Sequence, residues 1–277
     1  MLRLLQIEFK KLWLNKASKV LIISYFALII FIAGLTAIKF NIGSVQIHLA
    51  EQGIFNFPYI WHANSWVASF FKIFFAVVIV SMVANEYSNK TLKQNLIDGL
   101  SKKEFLLSKL LTVLVFTIIS TLFVFLVSLI LGLIYSDYNE ISIIFSDLEY
   151  LLAYFIKHIG FFSFCLFIGI LIKRSAFALG FLAIWFIFEE IIIKLILGFS
   201  VSFDFADSII NFLPLRSSWN VIDEPISRIS AIKTVAAQVG EDFNFTYGVE
   251  FSEVLIVLVW TTIFITLSYR LLKKRDL

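Results

Sequence analysis

An all-α integral membrane protein with six transmembrane helices and an N-terminal amphipathic interfacial helix is the fold class this sequence predicts. Three observations lead there. Of the 277 residues, 60% are hydrophobic and only 16% charged, against about 45–50% apolar and about 25% charged in a soluble domain. A core of this size cannot hold that excess, so much of it faces lipid. The apolar residues fall into long runs, and Lys and Arg gather between alternate runs.

A spanning helix needs about 20 mostly apolar residues, because the hydrocarbon layer is about 30 Å thick and a helix rises about 1.5 Å per residue. Six runs qualify, approximately 20–38, 66–84, 106–135, 150–172, 176–199 and 254–272, within a single membrane domain, 1–277. The third is long enough to tilt or protrude. Ahead of the first, residues 1–19 hold Leu2, Leu5, Phe9, Leu12 and Trp13 on one helical face, with Arg3, Lys10 and Lys11 largely elsewhere. That pattern predicts a helix lying in the interface, or else a plain charged flank. Lys10, Lys11, Lys16 and Lys19 precede the first run, but the run exceeds a signal-peptide core and no clear small-residue cleavage site follows, so it reads as a retained anchor.

Charge sorts the two faces. With the N-terminus inside, segments 1–19, 85–109, 173–174 and 270–277 carry sixteen Lys or Arg and five acids, while the outer segments carry Lys39, Arg216, Arg228 and Lys233 against thirteen acids. Retention of Lys and Arg on the cytoplasmic side sets orientation. The expectation is a multi-pass protein of the cell (cytoplasmic) membrane with both termini in the cytoplasm. The largest outer segment is 200–253. Its stretch 205–213 is apolar enough for the interface, and Pro214–Trp219 reads as turning away from the membrane.

Several chemistries are disfavoured. The dipeptide Gly-Lys never occurs, so no phosphate-cradling Gly-x4-Gly-Lys-Ser/Thr loop exists, and no cofactor-binding residues are expected. His48, His62 and His158 lack zinc-ligand spacing. His48 and His62 read as solvated side chains in an outer loop. Cys165 has no second cysteine to pair with. Asn244-Phe245-Thr246 matches a glycosylation acceptor by pattern only. The basic residues lie along the inner face without an aromatic-rich soluble module, so anionic lipid headgroups explain them better than nucleic acid.

The inner segment 85–105 carries more information. Leu92, Leu96, Ile97 and Leu100 recur at helical spacing. Gly99 is placed to end that short helix. Ser101 can cap the next one, with Glu104 three positions on as a capping box. A short apolar face beneath the membrane suits docking into a groove of a partner, but it equally suits a helix resting on the bilayer, or a linker.

Here the chain resembles the permease subunits of ABC-2 type ABC transporters, over nearly its whole length. Those proteins have an N-terminal interfacial helix, six spans and a coupling helix between spans two and three. Glu86, Thr91, Leu92, Ser101, Phe105 and Lys109 match the family's loop pattern. Lys90 stands where a Gly often precedes the Thr, and Gly99-Leu100 where a Pro often precedes the Ser. The Phe212-Leu213-Pro214 turn looks like the family's Pro-containing stretch before the last span. The resemblance implies an ABC-2 exporter-like fold, a separate cytoplasmic ABC ATPase carrying ATP-Mg, a second permease subunit (identical or similar) and transport, in the export direction. Leu92, Leu96 and Leu100 would be docking contacts. Glu86 and Lys109 would be polar anchors, with Thr91 and Ser101 shaping the loop.

Charged residues also interrupt the spans. Glu189 and Glu190 lie in the fifth, with Lys194 four residues beyond Glu190. Buried membrane charges usually pair or face an interior, and Glu190 with Lys194 has i,i+4 spacing. Glu189, Glu190 and Lys194 therefore mark either a translocation path or subunit seam, or acids that pair near the outer end. Lys72 and Lys157 read as snorkelling, or as partners for Glu189. Glu189-Glu190-x3-Lys194 also looks like the Glu-Glu-x3-Arg motif of CAAX-type intramembrane proteases, but no histidine follows His158. A non-transporting scaffold or immunity subunit is the remaining alternative.

The charge asymmetry is directly testable. A single cysteine at position 93, in a Cys165→Ser background, should react with an impermeant maleimide only after the inner membrane face is opened. Labelling from outside intact cells would invert the topology.

Overall fold

The computed structural model describes residues 2–36, 39–42, 45–48, 53–229 and 247–275. They form a helical membrane bundle. Its first two helices are α1 (Leu2–Leu14) and α2 (Lys16–Thr36). A short antiparallel hairpin follows, β1 (Lys39–Ile42) with β2 (Val45–His48), in the register Lys39↔His48. The second span is broken: α3 (Tyr59–Phe70) and α4 (Lys72–Ser88) meet at Phe71 with a 44° bend. Then come α5 (Thr91–Ile97), α6 (Lys102–Tyr135), α7 (Ile141–Ile144) and α8 (Glu149–Ile172).

The fifth span runs through α9 (Ser175–Ile187), a π-helical turn (Phe188–Ile193) and α10 (Lys194–Ser200). It is followed by α11 (Phe203–Ile210), α12 (Pro214–Asn220) and a 3-10 turn at Ile226–Arg228. The last span is α13 (Phe251–Lys274). Part of the segment 200–253, including Lys233 and the Asn244 triplet, lies outside the described residues.

The bundle is built around α8. Of its most apolar stretch, 72% is buried, whereas the other straight spans bury 11–33% of theirs. α13, α4, α6, α3 and α9 surround it. Elsewhere the apolar residues face outward: Ile23, Ile30 and Phe31 on α2, Leu122, Leu126 and Ile130 on α6, Ile184 and Phe186 on α9. An outward apolar surface of that extent belongs against lipid tails, not water. With 34 residues, α6 rises about 51 Å, longer than the hydrocarbon layer.

Small residues and hydroxyls set the packing inside. A Cβ on Gly160 would lie 2.5 Å from Val257 Cγ1, so the missing side chain is what lets α8 and α13 approach, as small residues do between membrane helices. At mid-bundle the hydroxyls of Tyr25, Ser120 and Tyr154 hydrogen-bond to one another, joining α2, α6 and α8, with Tyr25–Tyr154 at 2.5 Å and Ser120–Tyr154 at 2.8 Å. Without such partners, buried hydroxyls would be costly.

His62 corrects an expectation. It is fully buried on α3, not in a solvated loop. It stacks on Tyr150 at 4.1 Å, while Nε2 pairs with the Asp223 carbonyl at 2.9 Å and Nδ1 with Arg228 at 3.0 Å.

Replacing Gly160 by Leu should destabilise the purified protein by about 1–3 kcal/mol or more through overpacking. Gly180→Ala, where a new Cβ meets nothing within 4 Å, should be neutral or slightly stabilising. Unfolding in detergent micelles measures both.

Candidate functional site

Two buried charge clusters sit at different depths. The first lies at the end of the bundle that holds α1, α5 and the C-terminal end of α13. Lys109 on α6 is fully buried, and its Nζ donates to Glu8 Oε2 at 2.5 Å and to Glu86 Oε1 at 2.5 Å. Lys11 adds bonds to the same acids, 3.0 Å to Glu86 and 3.4 Å to Glu8. Two carboxylates and two ammonium groups thus tie α1, α4 and α6 together. Burial works against the charge on Lys11, but Glu86 and then Glu8 outweigh it and hold its ammonium above the ordinary lysine value.

Sequence reasoning named Glu86 and Lys109 but assigned them to a partner. The structure turns them inward, onto each other and onto Glu8, so they are not exposed anchors. Glu8 and Lys11 were missed. The signal was available: Glu8 falls on the apolar stripe of α1, three residues after Leu5 and four before Leu12, and an acid on such a stripe needs a buried partner.

Directly beside this cluster is the loop. Lys90 holds a left-handed backbone with φ +57°, a conformation that costs glycine nothing, and it starts α5. Thr91 Oγ1 donates to the Glu86 carbonyl at 3.4 Å. Gly99 ends the helix at φ +99°. Ser101 caps α6 in a full capping box: its hydroxyl accepts from Glu104 N at 3.1 Å, and the Glu104 carboxylate accepts from Ser101 N at 2.9 Å. The Ser101 hydroxyl also donates to Glu104 Oε2 at 2.7 Å, and this bond first, then the one from the Ser101 N–H, holds the exposed Glu104 carboxyl below its usual range.

The expected docking row is corrected at one position. Leu92 is 1% exposed and belongs to the core; it is the residue by which α5 is fastened to the bundle. Leu96 and Leu100 are half-buried against that core. The outward face of α5 holds Lys93, Gln94 and Ile97, and Ile97 is 69% exposed.

The second cluster lies deeper. Lys72, Lys157, Glu189 and Glu190 stand 14–16 residues from the basic-end termini of α4, α8 and the fifth span, or about 21–24 Å at helical rise. Here α12 folds back into the bundle. Pro214, Leu215, Ser217 and Ser218 are buried, which overturns the reading that Pro214–Trp219 turns away. Pro at its first position fits an N–H that no helical bond would use.

Glu189 Oε1 accepts from the backbone N–H groups of Leu215 and Arg216, each at 2.7 Å, and Oε2 accepts from Trp185 Nε1 at 2.9 Å. The missing partner of Glu189 is thus the start of α12, whose free N–H groups favour an anion. No i,i+4 pair forms between Glu190 and Lys194. Instead Arg216 Nη1 meets Glu190 Oε2 at 3.3 Å, and Lys194 Nζ meets Asp207 Oδ1 at 2.5 Å. The π-helical turn carrying both glutamates accounts for the changed register, since its extra residue per turn breaks α-helical spacing.

Lys72 and Lys157 neither snorkel nor serve Glu189. Lys157 is fully buried, donating to the Trp219 carbonyl at 3.2 Å. Trp219 stands between the two amines, its ring centroid 5.0 Å from Lys157 Nζ and 5.8 Å from Lys72 Nζ, and Phe161 lies 4.5 Å from Lys72. Among the described residues no carboxylate lies within 4 Å of either amine. A cation–π contact returns about 0.5–2 kcal/mol, against an insertion cost of about 2.5–3.5 kcal/mol for a charge at mid-membrane. Among the described residues no His, Cys, Asp or Glu cluster could hold a metal ion. Glu189 spends both oxygens on structural donors, a poor arrangement for activating water as the protease reading requires.

The chain belongs to the ABC-2 family of transporter proteins, whose family description matches residues 6–277. Curated proteins gave no match.

Lys109→Ala should cost about 3–5 kcal/mol, because it leaves two buried carboxylates without their shared cation. Adding Glu8→Gln should recover part of the loss, since Lys11 still serves Glu86. Chemical unfolding of the two variants in micelles would reveal equal losses if the cluster were unimportant.

Proposed function

We propose that this ABC-2 family chain is the permease subunit of an ATP-driven exporter, moved by a separate cytoplasmic ABC ATPase and paired with a second permease subunit. Family membership supports the permease assignment. The bias of Lys and Arg toward one end of the bundle supports a cytoplasmic location for both termini, α1 and α5. ATP-Mg would be held by the ATPase, since the sequence has no phosphate-binding loop of its own.

One observation carries the coupling assignment. α5 is a short helix fastened to the core through Leu92 while it turns an exposed isoleucine and basic side chains outward. A partner gripping Ile97 and Lys93 would pull on Leu92 and, through α4 and the capped start of α6, on Glu86 and Lys109. Because Lys109, Glu86, Glu8 and Lys11 clamp three helices, a rigid-body displacement of the motor would reach the spans as a unit and not as local bending. The half-buried Leu96 and Leu100 keep their role as docking contacts beside Ile97, while Thr91 and Ser101 hold α5 at its angle.

The deeper cluster supports a second assignment. Glu190 lines a cavity on the flank of spans two, four and five, and with its neighbours Glu189 and Lys194 it offers a setting suited to the translocation path or to the seam with the second subunit. Their interactions with Arg216, Asp207 and α12 would couple that seam to the segment at the acidic end.

Ile97→Glu combined with Lys93→Glu should cut co-purification of the ATPase at least tenfold, with insertion and thermal stability unchanged, because both positions are exposed. Leu92→Asp, by contrast, should lower stability as well. Undiminished ATPase capture and transport in the Ile97/Lys93 variant would remove α5 as the docking element.

A further inference from the structure

The deeper cluster opens onto a cavity of about 780 Å³, within the roughly 300–1,000 Å³ typical of ligand sites. Its walls are the apolar side chains of α4 and α9, among them Ile73, Val77, Leu179 and Leu182. Its polar end is formed by Lys72, Arg216, Glu190 and the Trp219 indole. Glu190 balances Arg216, whereas Lys72 faces the rings of Phe161 and Trp219 and, among the described residues, no carboxylate within 4 Å. Among the described residues that line it, the cavity therefore carries one positive charge more than is neutralised there, in an apolar setting where charge is disfavoured without a counterpart. A second cavity, about 320 Å³ between α2, α3 and α6, has no charged side chain in its lining.

We infer that the larger cavity binds an anionic amphiphile, with a phosphate or carboxylate head between Lys72 and Arg216 and a hydrocarbon tail along the α4 and α9 walls. The complementarity is twofold. An acidic head supplies the counter-charge that Lys72 lacks, and bidentate geometry at a guanidinium suits phosphate and carboxylate oxygens. A tail replaces lipid contact on a wall already apolar, at no cost in desolvated polar groups. A head without a tail leaves most of the cavity unfilled. A tail without an acidic head leaves Lys72 uncompensated. Outward exposure of Ile73, Ala183 and Phe186 toward the bilayer lets such a molecule enter sideways from the membrane. This binding site stands independently of any motor, so it can fail while the transporter reading holds, and the reverse.

The full chain in maltoside micelles is titrated with 9,10-dibromostearate, whose bromines quench nearby tryptophan. Saturable quenching that largely disappears in Trp219→Phe is expected. Oleoyl lysophosphatidylglycerol should displace the probe, while lysophosphatidylcholine and inorganic phosphate should be at least tenfold weaker. Lys72→Gln should weaken binding tenfold or more. Ala183→Phe, at an exposed position on the wall, should do the same by filling space, and it decides the matter if Lys72→Gln misfolds. Equal competition by lysophosphatidylcholine would make the site a tail pocket only, and equal competition by phosphate an anion site only. Either result overturns the proposal, as does binding within twofold of wild type in Ala183→Phe.

Discussion

The fully buried ammonium of Lys109, held between Glu8 and Glu86, is the constraint on which the basic end of this molecule depends. In a bundle whose exterior is lipid, helices gain little from burying apolar surface against each other, because tails are as apolar as side chains. What fixes α1 and α4 against α6 is therefore the requirement that none of these charges be left alone. A buried ion pair is a weak source of net stability but a strict one, since removing one member strands the other. The arrangement makes an interfacial helix, which could otherwise slide over the membrane surface, a fixed part of the bundle.

A second set of charges repeats the logic at greater depth by a different means. There the fold brings a strand of backbone to the charge: α12 returns from the acidic end so that its first N–H groups meet Glu189 and its Arg216 meets Glu190. Segments with free backbone groups are tolerated inside a membrane protein only where protein covers them, and burial of Pro214, Leu215, Ser217 and Ser218 meets that condition. The π-helical turn belongs to the same solution. It displaces Lys194 from the i,i+4 position and points it toward Asp207 on α11.

Hydrophobic run length made the membrane helices legible in the sequence, because that signal depends on composition alone. The first span, read at 20–38, is seen in α2 at Lys16–Thr36, and the last, read at 254–272, in α13 at Phe251–Lys274. The Ser101–Glu104 capping box and the Gly99 stop were also readable, being local and stereochemical. What stayed hidden depends on partners far along the chain. No property of residues 86–109 alone says that Glu86 and Lys109 bind Glu8, and none of 189–194 says that Glu189 awaits Leu215. Leu92 and Leu96 have the same chemistry and lie on one helical stripe, so only tertiary packing separates the buried one from the half-buried one. The substitution of Lys90 for the glycine common at its position was legible as a departure; the left-handed backbone there gives its meaning, a strained geometry retained despite the side chain.

The break at Phe71 divides the second span into two straight rods. Of the two, the rod from Lys72 to Ser88 is continuous with the loop that carries α5, and its far tip is the amine that stands in the cavity wall. It spans about 24 Å at helical rise. A helix of that length is stiff along its axis, so a push at Ser88 would reach Lys72, whereas α3 beyond the elbow is tied by Trp61 to the Ile144 carbonyl and by His62 to the Asp223 carbonyl. A displacement carried along this rod would therefore end at Lys72, an amine for which the described residues supply no carboxylate within 4 Å.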